Sequence, residues 1–323
     1  MEIAEGIHRV EAPLGERYIA MYVLFGQSRT LVVDVGVELS VVDVLAPFLR
    51  SHAVDENSAP WFLYTHCDFD HAGGSAAARA HFPRSTHLAH RGDAALVESI
   101  ELLIAQRYGE FIAPDGYDDV DADSKEQIRS TAAAGPVDVS VVGGELIRLS
   151  DDWSVEILHT PGHSFGSISI FDPRSGAVII GDAVLDRGLL TADGRPAFPP
   201  TYRSVESYRS TIQRLLSLSP SQVATSHFPM HGGEDGIDFL RRSLAFADQV
   251  EQTLKQSLVS LAGESIATLD LIKRIRTQLG PWSPAISQAL IYPVVGHLEL
   301  LEAQGFVESI ESSGSRRSWR ISA

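Results

Sequence analysis

The segment that most constrains the fold is THCDFDHAGG at residues 65–74, directly after the apolar run WFLY at 61–64. A short apolar run that ends in polar residues is typical of a buried strand. Two histidines and two aspartates follow within six positions, at 66, 68, 70 and 71. Open α/β sheets carry their chemistry in loops at the carboxyl ends of strands. We therefore expect a sheet whose edge carries a reactive, metal-seeking loop.

Composition narrows the classes of protein that this chain can belong to. With 323 residues, 44% of them apolar, the chain can bury a full core as one large domain or a large domain with a small companion. No apolar run approaches the roughly 20 residues of a membrane helix, and the first residues lack a signal-peptide pattern. The single cysteine, Cys67, excludes an intramolecular disulfide. We expect a cytoplasmic protein without membrane contact, with the Cys67 thiol packed in the core.

Hydrophobic periodicity predicts alternating strands and helices. Strands are predicted within 5–35, at 61–64, 86–90, 145–184 and 223–227, and helices at 40–50, 74–81, 93–111 and 204–218. Asp93 is the predicted cap of the long amphipathic helix over 93–111. The acidic stretch 113–135 is expected to be a solvated loop, or else part of a lid over the site.

The chain changes character after about residue 248. Three helical stretches follow, and then a hairpin around Ser-Gly-Ser at 313–315, which together give a winged-helix outline. From 248 onwards there are seven Lys and Arg against eight Asp and Glu, so no basic face is expected. The net charge of −16 also disfavours nucleic acid. Residues 290–301 fit either a winged-helix core or a homodimer interface.

Three further polar residues end predicted strands as the first cluster does. They are His163 in TPGHSFGS, Asp182 in IIGDAV and His227 in TSHFP. His66 and Asp68 are two apart, so they point the same way in extended backbone, whereas Asp70 and His71 lie beyond the bend. One loop can therefore serve two neighbouring cations. Nitrogen and carboxylate donors suit zinc, manganese or iron.

These elements, THCDFDHAGG, TPGHSFGSISI, IIGDAV and SHFPMHGG, resemble the metallo-β-lactamase-fold superfamily in order and context over about residues 5–235. The resemblance implies an α/β (α+β) fold, a four-layer αβ/βα sandwich at 1–247, followed by a small winged-helix-like domain at 248–323. It also implies two divalent metal ions, first of all zinc. His66, Asp68 and His163 would hold one ion, Asp70, His71 and His227 the other, and Asp182 would bridge them.

Asp68 departs from the family pattern, which has histidine there and reads HxHxDH rather than HxDxDH. Two divalent ions with three aspartates and a hydroxide sum to zero, whereas a histidine at this position leaves one positive charge. We therefore expect a weaker Lewis acid and better tolerance of manganese or iron. The acidic residue also resembles the flavodiiron branch, which carries glutamate there together with a flavodoxin-like domain that this chain has no room for.

The resemblance implies a hydrolase in which a hydroxide between the two metals cleaves a small ester, thioester or lactone, or a related acyl or phosphoryl bond. The glyoxalase II and lactonase side of the superfamily is the most similar. Asp70 would orient the nucleophile. The position of Tyr202, between Asp182 and the helix predicted at 204–218, fits either a phenol that reaches a carbonyl oxygen near the metals or a packing aromatic at a helix entrance. Arg187 would contact the small-molecule substrate.

Three alternatives stay open from the sequence. An iron enzyme of the same fold that uses oxygen is favoured by the extra carboxylate at position 68. A nuclease is suggested by the winged-helix outline, although only Arg316, Arg317 and Arg320 supply charge to the presumed wing. A noncatalytic binding protein is the third, and the complete set of donors argues against it.

Overall fold

The computed structural model describes residues 1–310 and 316–322. Its first sheet has seven strands in chain order: β1 (Glu2–Ala4), β2 (Ile7–Leu14), β3 (Arg17–Phe25), β4 (Thr30–Val33), β5 (Trp61–Tyr64), β6 (Thr86–His90) and β7 (Val139–Val141). Strands β1 to β4 are antiparallel, and β4 to β7 are parallel. The strands predicted within 5–35 are confirmed, and Gly26, Gln27 and Ser28 lie in the tight connection between β3 and β4.

The later strands form a second sheet and two small ones. In chain order they are β8 (Leu146–Arg148), β9 (Ser154–His159), β10 (Ile168–Asp172), β11 (Ala177–Gly181), β12 (Leu189–Leu190), β13 (Pro196–Phe198), β14 (Gln222–Thr225), β15 (His231–Gly232), β16 (Ile266–Ala267), β17 (Val307–Ile310) and β18 (Ser318–Ile321). The second sheet has the order β15-β14-β11-β10-β9-β8, and β12 pairs with β13. Strands β16, β18 and β17 form a three-stranded antiparallel sheet.

Helices cover the outer faces of the two large sheets, and the last two helices belong to the C-terminal region described below. They are α1 (Ala46–Ser51), α2 (Phe69–Ala72), α3 (Ser75–His81), α4 (Ala94–Val97), α5 (Ile100–Leu102), α6 (Ile112–Asp115), α7 (Ala122–Thr131), α8 (Val205–Ser217), α9 (Glu234–Val259), α10 (Thr268–Leu279) and α11 (Ile291–Ala303). Ser40–Leu45 and Leu103–Tyr108 are wound as π-helix, and Ile286–Leu290 is a 3₁₀ turn.

Buried residues of β3 belong alternately to two cores, one between the two large sheets and one beneath the helices. Alternate side chains of a strand point to opposite faces of its sheet. Tyr22 faces the second sheet and shares a core with Ile157 and Ile179, whereas Val23 faces the helical layer and shares a core with Leu49. On the far side of the second sheet, α8 and α9 pack over β11. The result is the expected four-layer sandwich of helices and sheets.

The predicted long helix over 93–111 is wrong in detail. The chain breaks into α4, α5 and the π-helical segment Leu103–Tyr108. Asp93 does not cap a helix with its side chain. Its carboxylate instead accepts hydrogen bonds from Ser164 Oγ at 2.7 Å, the Gly166 N–H at 2.8 Å and the Cys67 N–H at 3.1 Å. A buried carboxylate with three donors is satisfied by these loops rather than by a helix terminus.

The acidic stretch 113–135 is not the solvated loop that its polarity predicted. It contains the end of α6 and all of α7. Asp121 caps α7 by accepting the Ser124 N–H at 2.8 Å. Ile128 is buried in the core of the helical layer. Val120 and Ile128 of this segment line the cavity described below, which agrees with the second expectation, that the segment lies over the site.

The C-terminal region is helical and carries its own apolar core. This core joins α10, α11 and β18 with the second half of α9, and it also contains Phe111 and Tyr117 from the sandwich side. The predicted boundary at 247/248 falls inside α9, a continuous helix of 26 residues. The hairpin predicted near the C-terminus is confirmed by the pairing of β17 with β18, and its turn at 313–315 lies outside the described residues. The winged-helix assignment and the domain boundary stay predictions.

None of the helices within 1–310 and 316–322 combines the length and the hydrophobicity that crossing a membrane would require.

Candidate metal centre

Seven histidines and aspartates converge at one edge of the sandwich because each follows a strand end. His66 and Asp68 follow β5, Asp70 and His71 lie in α2, His163 follows β9, Asp182 follows β11, and His227 follows β14. The parallel pairings of β5 with its neighbours and of β11 with β14 bring these carboxyl ends to the same side. All seven side chains are buried or nearly so. The sequence-predicted donor set is thus brought together in space.

Two glycines allow the chain to deliver donors to this edge. Gly162 precedes His163 with φ +141°, and a Cβ there would lie 2.7 Å from the Tyr208 Cα. Gly181 precedes Asp182 with φ +52°, and a Cβ there would lie 2.6 Å from the Thr65 Oγ1. L-residues rarely adopt positive φ, and neither position has room for a side chain. These contacts explain the glycine in both PGH and IIGD.

The donor atoms form three overlapping groups in which all atoms lie within 4.8 Å of one another: His66, Asp68 and His163; His66, His71 and Asp182; and Asp70, His71 and His227. Within the third group, His227 Nε2 lies 3.4 Å from Asp70 Oδ2. The same nitrogen lies 3.4 Å from Asp182 Oδ2 of the second group. His71 Nε2 is 3.6 Å from Asp182 Oδ2. Ligands about 2.1 Å from a tetrahedral ion are separated by about 3.4 Å, so this spacing suits a bound cation.

Each histidine ring is oriented by a partner on its Nδ1 side. The partners are Thr65 Oγ1 for His66 at 3.0 Å, Asp34 Oδ2 for His71 at 2.9 Å, Thr201 Oγ1 for His163 at 3.4 Å and the Tyr18 carbonyl for His227 at 2.9 Å. These bonds turn every Nε2 towards the common centre. Such outer partners fix ring orientation and tautomer in metal sites.

Several atoms at the centre lack a hydrogen-bond partner among the described residues. They are His66 Nε2, His71 Nε2, His227 Nε2 and Asp182 Oδ1. A buried polar atom without a partner costs free energy. A cluster of four, composed of imidazole nitrogens and a carboxylate oxygen, fits divalent metal ions well.

The carboxylates of the cluster are held ionised, as metal ligands must be. Burial by itself would raise the pKa of Asp70, but its hydrogen bond with His227 and the charge of His71 bring that pKa below its ordinary value. Burial likewise opposes ionisation of Asp182, and the charges of His227 and His71 lower its pKa. His71 shows the reverse effect: burial would lower its pKa, whereas Asp182 and Asp34 raise it well above the usual value. A cation would replace these protons.

One further charged residue at this centre, Arg107, carries no signal in the sequence pattern. Its Nε lies 3.1 Å from Asp68 Oδ1, and its Nη2 lies 3.4 Å from Asp68 Oδ2 and 3.3 Å from His163 Nε2. The side chains of Arg107 and Asp68 are 8% and 13% exposed. Arg107 sits in the π-helical segment Leu103–Tyr108, where the sequence predicts an ordinary amphipathic helix face. Irregular winding of this kind is frequent at functional sites.

The cluster forms the floor of a cavity of about 730 Å³. Aliphatic and aromatic side chains line much of its wall: Leu14, Val37, Leu39, Phe69, Val120, Ile128, Leu189, Phe198 and Ile286. Leu39 and Phe198 are 61% and 40% exposed, so apolar surface continues to the mouth. Arg17 also lines the cavity, with its guanidinium 5.4 Å from the centre of the Phe198 ring. An apolar cavity with polar groups converging at one point is typical of a binding site for a small molecule.

The structure corrects the two predicted substrate contacts. Tyr202 is fully buried and stacks on Tyr208 with 4.2 Å between ring centres. Its hydroxyl is 3.1 Å from His297 Nε2 in α11, so the phenol is a packing residue and not part of the cavity wall. Arg187 is exposed on another surface, where it bonds Gln249 Oε1 at 3.3 Å. Neither residue contacts the cavity.

Comparison with known proteins agrees with this geometry. The chain is 27% identical over 258 residues, 75% of its own length and 85% of the relative, to the acyl-coenzyme A thioesterase MBLAC2 of Bos taurus. Two solved structures share its fold. They are the metallo-beta-lactamase family protein TTHA1429 of Thermus thermophilus (17% identity, TM-score 0.72, 99% of both chains) and a beta-lactamase domain protein of Burkholderia ambifaria (16%, 0.73, 100% of this chain and 93% of that one).

Both structural alignments extend over the C-terminal helical region as well as the sandwich. The family model for the metallo-beta-lactamase superfamily matches residues 14–227, which include every predicted metal ligand. With four layers, seven converging donors and this match, the chain belongs to the metallo-beta-lactamase superfamily.

Proposed function

We propose that this chain is a metal-dependent hydrolase that cleaves acyl thioesters, with acyl-coenzyme A as the substrate class. The observation that carries the proposal is the position of the His/Asp cluster on the floor of a largely apolar cavity of about 730 Å³. A fatty acyl chain would bury its methylene groups against that wall, at about 0.8 kcal/mol for each. The named activity of the MBLAC2 relative supports the same reaction.

The donors divide into two half-sites in this proposal. His66, Asp68 and His163 would hold one divalent ion, and Asp70, His71 and His227 a second, with Asp182 between them. Bound ions would supply an activated water and polarise the acyl carbonyl. Asp70 stays ionised because its pKa is low, so its carboxylate can accept a hydrogen bond from the attacking water and orient it. The cavity wall excludes competing water from the acyl chain.

Arg17 is the residue best placed to recognise an anionic leaving group. It lines the cavity from the first position of β3 and is half-buried. Its neighbour Arg195 pairs with Asp193 at 2.8 Å, whereas Arg17 has no carboxylate partner within the described ranges. Arginine guanidinium binds phosphate oxygens in a fork. Coenzyme A carries such phosphates outside the reacting thioester.

The rivals from the sequence lose their specific support. The extra carboxylate that favoured an iron enzyme is paired with Arg107, so it does not simply add negative charge to the metal ions. Two of the three cations suggested for a nucleic-acid surface are also paired: Arg317 contacts Asp115 at 2.6 Å, and Arg320 contacts Glu308 at 2.6 Å. Small esters and lactones remain alternative substrates for the same chemistry.

The test is hydrolysis of acyl-coenzyme A of increasing chain length by the purified chain, with metal content measured on the same sample by mass spectrometry. Released thiol can be followed with a chromogenic disulfide because Cys67, the one cysteine of the chain, is 1% exposed. We expect turnover that rises with acyl length and is lost in Asp182→Ala together with bound metal.

Two parallel measurements sharpen this test. Lactones and phosphodiesters serve as competing substrate classes under the same conditions. A chain that binds metal and hydrolyses lactones but no thioester would contradict the proposed substrate. A chain that binds no divalent metal would contradict the proposed chemistry as a whole.

A further inference from the structure

Asp68 does not face the metal centre as an isolated carboxylate. Arg107 approaches it with two nitrogens, Nε at 3.1 Å from Oδ1 and Nη2 at 3.4 Å from Oδ2. A two-point contact of this kind fixes the carboxylate plane as well as its position. Asp68 Oδ2 in turn lies 2.9 Å from His163 Nε2 and 3.6 Å from His66 Nε2. The guanidinium therefore holds the oxygen that faces the two histidines.

Arg107 is itself held by the C-terminal region. Its guanidinium lies 5.1 Å from the centre of the Tyr292 ring in α11. The Tyr292 hydroxyl donates to Asp119 Oδ2 at 2.9 Å and lies 3.4 Å from the Arg107 carbonyl oxygen. Asp68 is the carboxylate that pairs with Arg107 within the described residues. A buried guanidinium needs such a partner, and a buried carboxylate next to a guanidinium stays ionised.

The charge count from the sequence omitted this cation. Asp68 contributes one negative charge to the half-site with His66 and His163, and Arg107 contributes one positive charge about 3 Å away. Their sum is zero, the charge of a neutral histidine. Net charge near a site controls both the affinity for a dication and the acidity of bound water.

We propose that Asp68 and Arg107 act as one neutral unit in place of a histidine, with Arg107 as the positioning residue that orients Asp68 and balances its charge. This inference rests on the metal binding in the proposed function. It predicts that the two positions are interdependent. Asp68→His alone would leave the guanidinium facing a dication without a carboxylate between them. Adding Arg107→Leu would remove that repulsion and recover a histidine-type half-site.

The experiment measures metal binding rather than activity. The full chain is stripped with a chelator, and Zn²⁺ is titrated by calorimetry, with bound zinc counted by mass spectrometry. The variants are Asp68→His, Arg107→Leu, the double variant and the conservative Arg107→Lys. Arg79→Leu is the matched control. Arg79 also pairs with an aspartate, Asp138, at a distance of 2.7 Å, but this pair does not belong to the metal cluster.

We expect two zinc ions in the wild type and in the control. In Asp68→His the affinity for one of the two ions should fall about 10- to 100-fold. The double variant should recover it, and Arg107→Lys should keep both ions. Recovery in the double variant cannot come from misfolding, so it separates charge balance from loss of structure.

Equal zinc affinity in Asp68→His and wild type would overturn the proposal, and so would a double variant no better than the single one. Circular dichroism shows whether Arg107→Leu folds. If it does not, the comparison of Asp68→His with the double variant and with Arg107→Lys still tests the proposal. Failure of the proposed function is distinguishable. If the wild type binds two ions but does not hydrolyse thioesters, the substrate assignment is wrong. The proposal about Asp68 and Arg107 can still be tested in that case.

Discussion

The carboxylate of Asp34 lies 2.9 Å from His71 Nδ1 and also accepts hydrogen bonds from the Thr65 N–H and hydroxyl at 2.7 and 2.8 Å. Asp34 thus links the loop that carries His66 to the ring of His71. It does so from a backbone with φ 62°, a conformation that aspartate and asparagine tolerate better than most residues.

We expect Asp34→Asn to weaken metal binding about 10- to 100-fold while the fold is kept, because the amide can replace the shape but not the charge that orients His71. Zinc titration of the stripped protein measures this. Asp186→Asn is the matched control. Asp186 also has a positive φ, of 47°, and it pairs with Arg242 on another surface. Unchanged zinc affinity in Asp34→Asn would show that Asp34 only supports the loop.

Arg17→Gln tests recognition of the leaving group. Hydrogen bonds to charged groups contribute about 1.5–3 kcal/mol, so KM for acyl-coenzyme A should rise about tenfold or more while kcat stays the same. A thioester of the same acyl chain on a short neutral thiol should be unaffected. The control is Arg148→Gln, which removes an exposed cation paired with Asp151 at 2.6 Å. An equal effect on both thioesters would exclude a phosphate contact by Arg17.

Tyr202→Phe distinguishes packing from catalysis. The hydroxyl is buried against His297, so we expect the variant to lose about 1 kcal/mol of stability and to keep kcat/KM within about twofold. Urea unfolding and thioester hydrolysis measure the two quantities. Tyr208→Phe, which removes the partner of the Leu185 N–H at 3.2 Å, serves as a comparison. A large loss of kcat with unchanged stability would return Tyr202 to the active site.

His87 should make stability depend on pH. Burial, together with the nearby charge of Arg79, lowers its pKa from 6.5 to about 4. Between these values the unfolded chain binds a proton that the folded chain does not, so stability falls as pH drops from about 6.5 to 4, by up to about 3 kcal/mol. Urea unfolding of metal-stripped protein should therefore show a steeper loss in the wild type than in His87→Asn.

The matched control for this experiment is His81→Asn, which replaces a partly exposed histidine in α3. It should keep the wild-type slope of stability against pH. Parallel slopes in the wild type and in His87→Asn would contradict a buried neutral His87.

The donor cluster could be predicted from the sequence because each donor lies close to the end of a predicted strand, which is a local signal. A polar residue that directly follows an apolar run marks a strand end, and parallel strands bring their carboxyl ends to one edge. Asp182 directly follows β11, and His163 and His227 lie within four residues of the ends of β9 and β14. The structure places them within reach of His66 and Asp70, as the pattern predicted.

Arg107 and Asp93 could not be found in this way. The position of Arg107 depends on π-helical winding that turns its side chain towards Asp68, and a hydrophobic pattern does not encode that winding. Asp93 precedes a helical pattern and so resembled a cap, but three donors from distant loops compete for its carboxylate. Both misses come from tertiary contacts that override a local preference.

Helix α9 begins beside β15 in the sandwich and ends within the C-terminal core, where Phe246, Val250 and Leu254 pack beside Phe111. Because this one helix packs in both cores, we expect the two cores to unfold cooperatively, in a single thermal transition. Truncation of the chain at residue 247 would cut α9 in its middle and expose the apolar residues that remain. We therefore expect the terminal helices to contribute to the stability of the sandwich through the residues of α9 that both cores share.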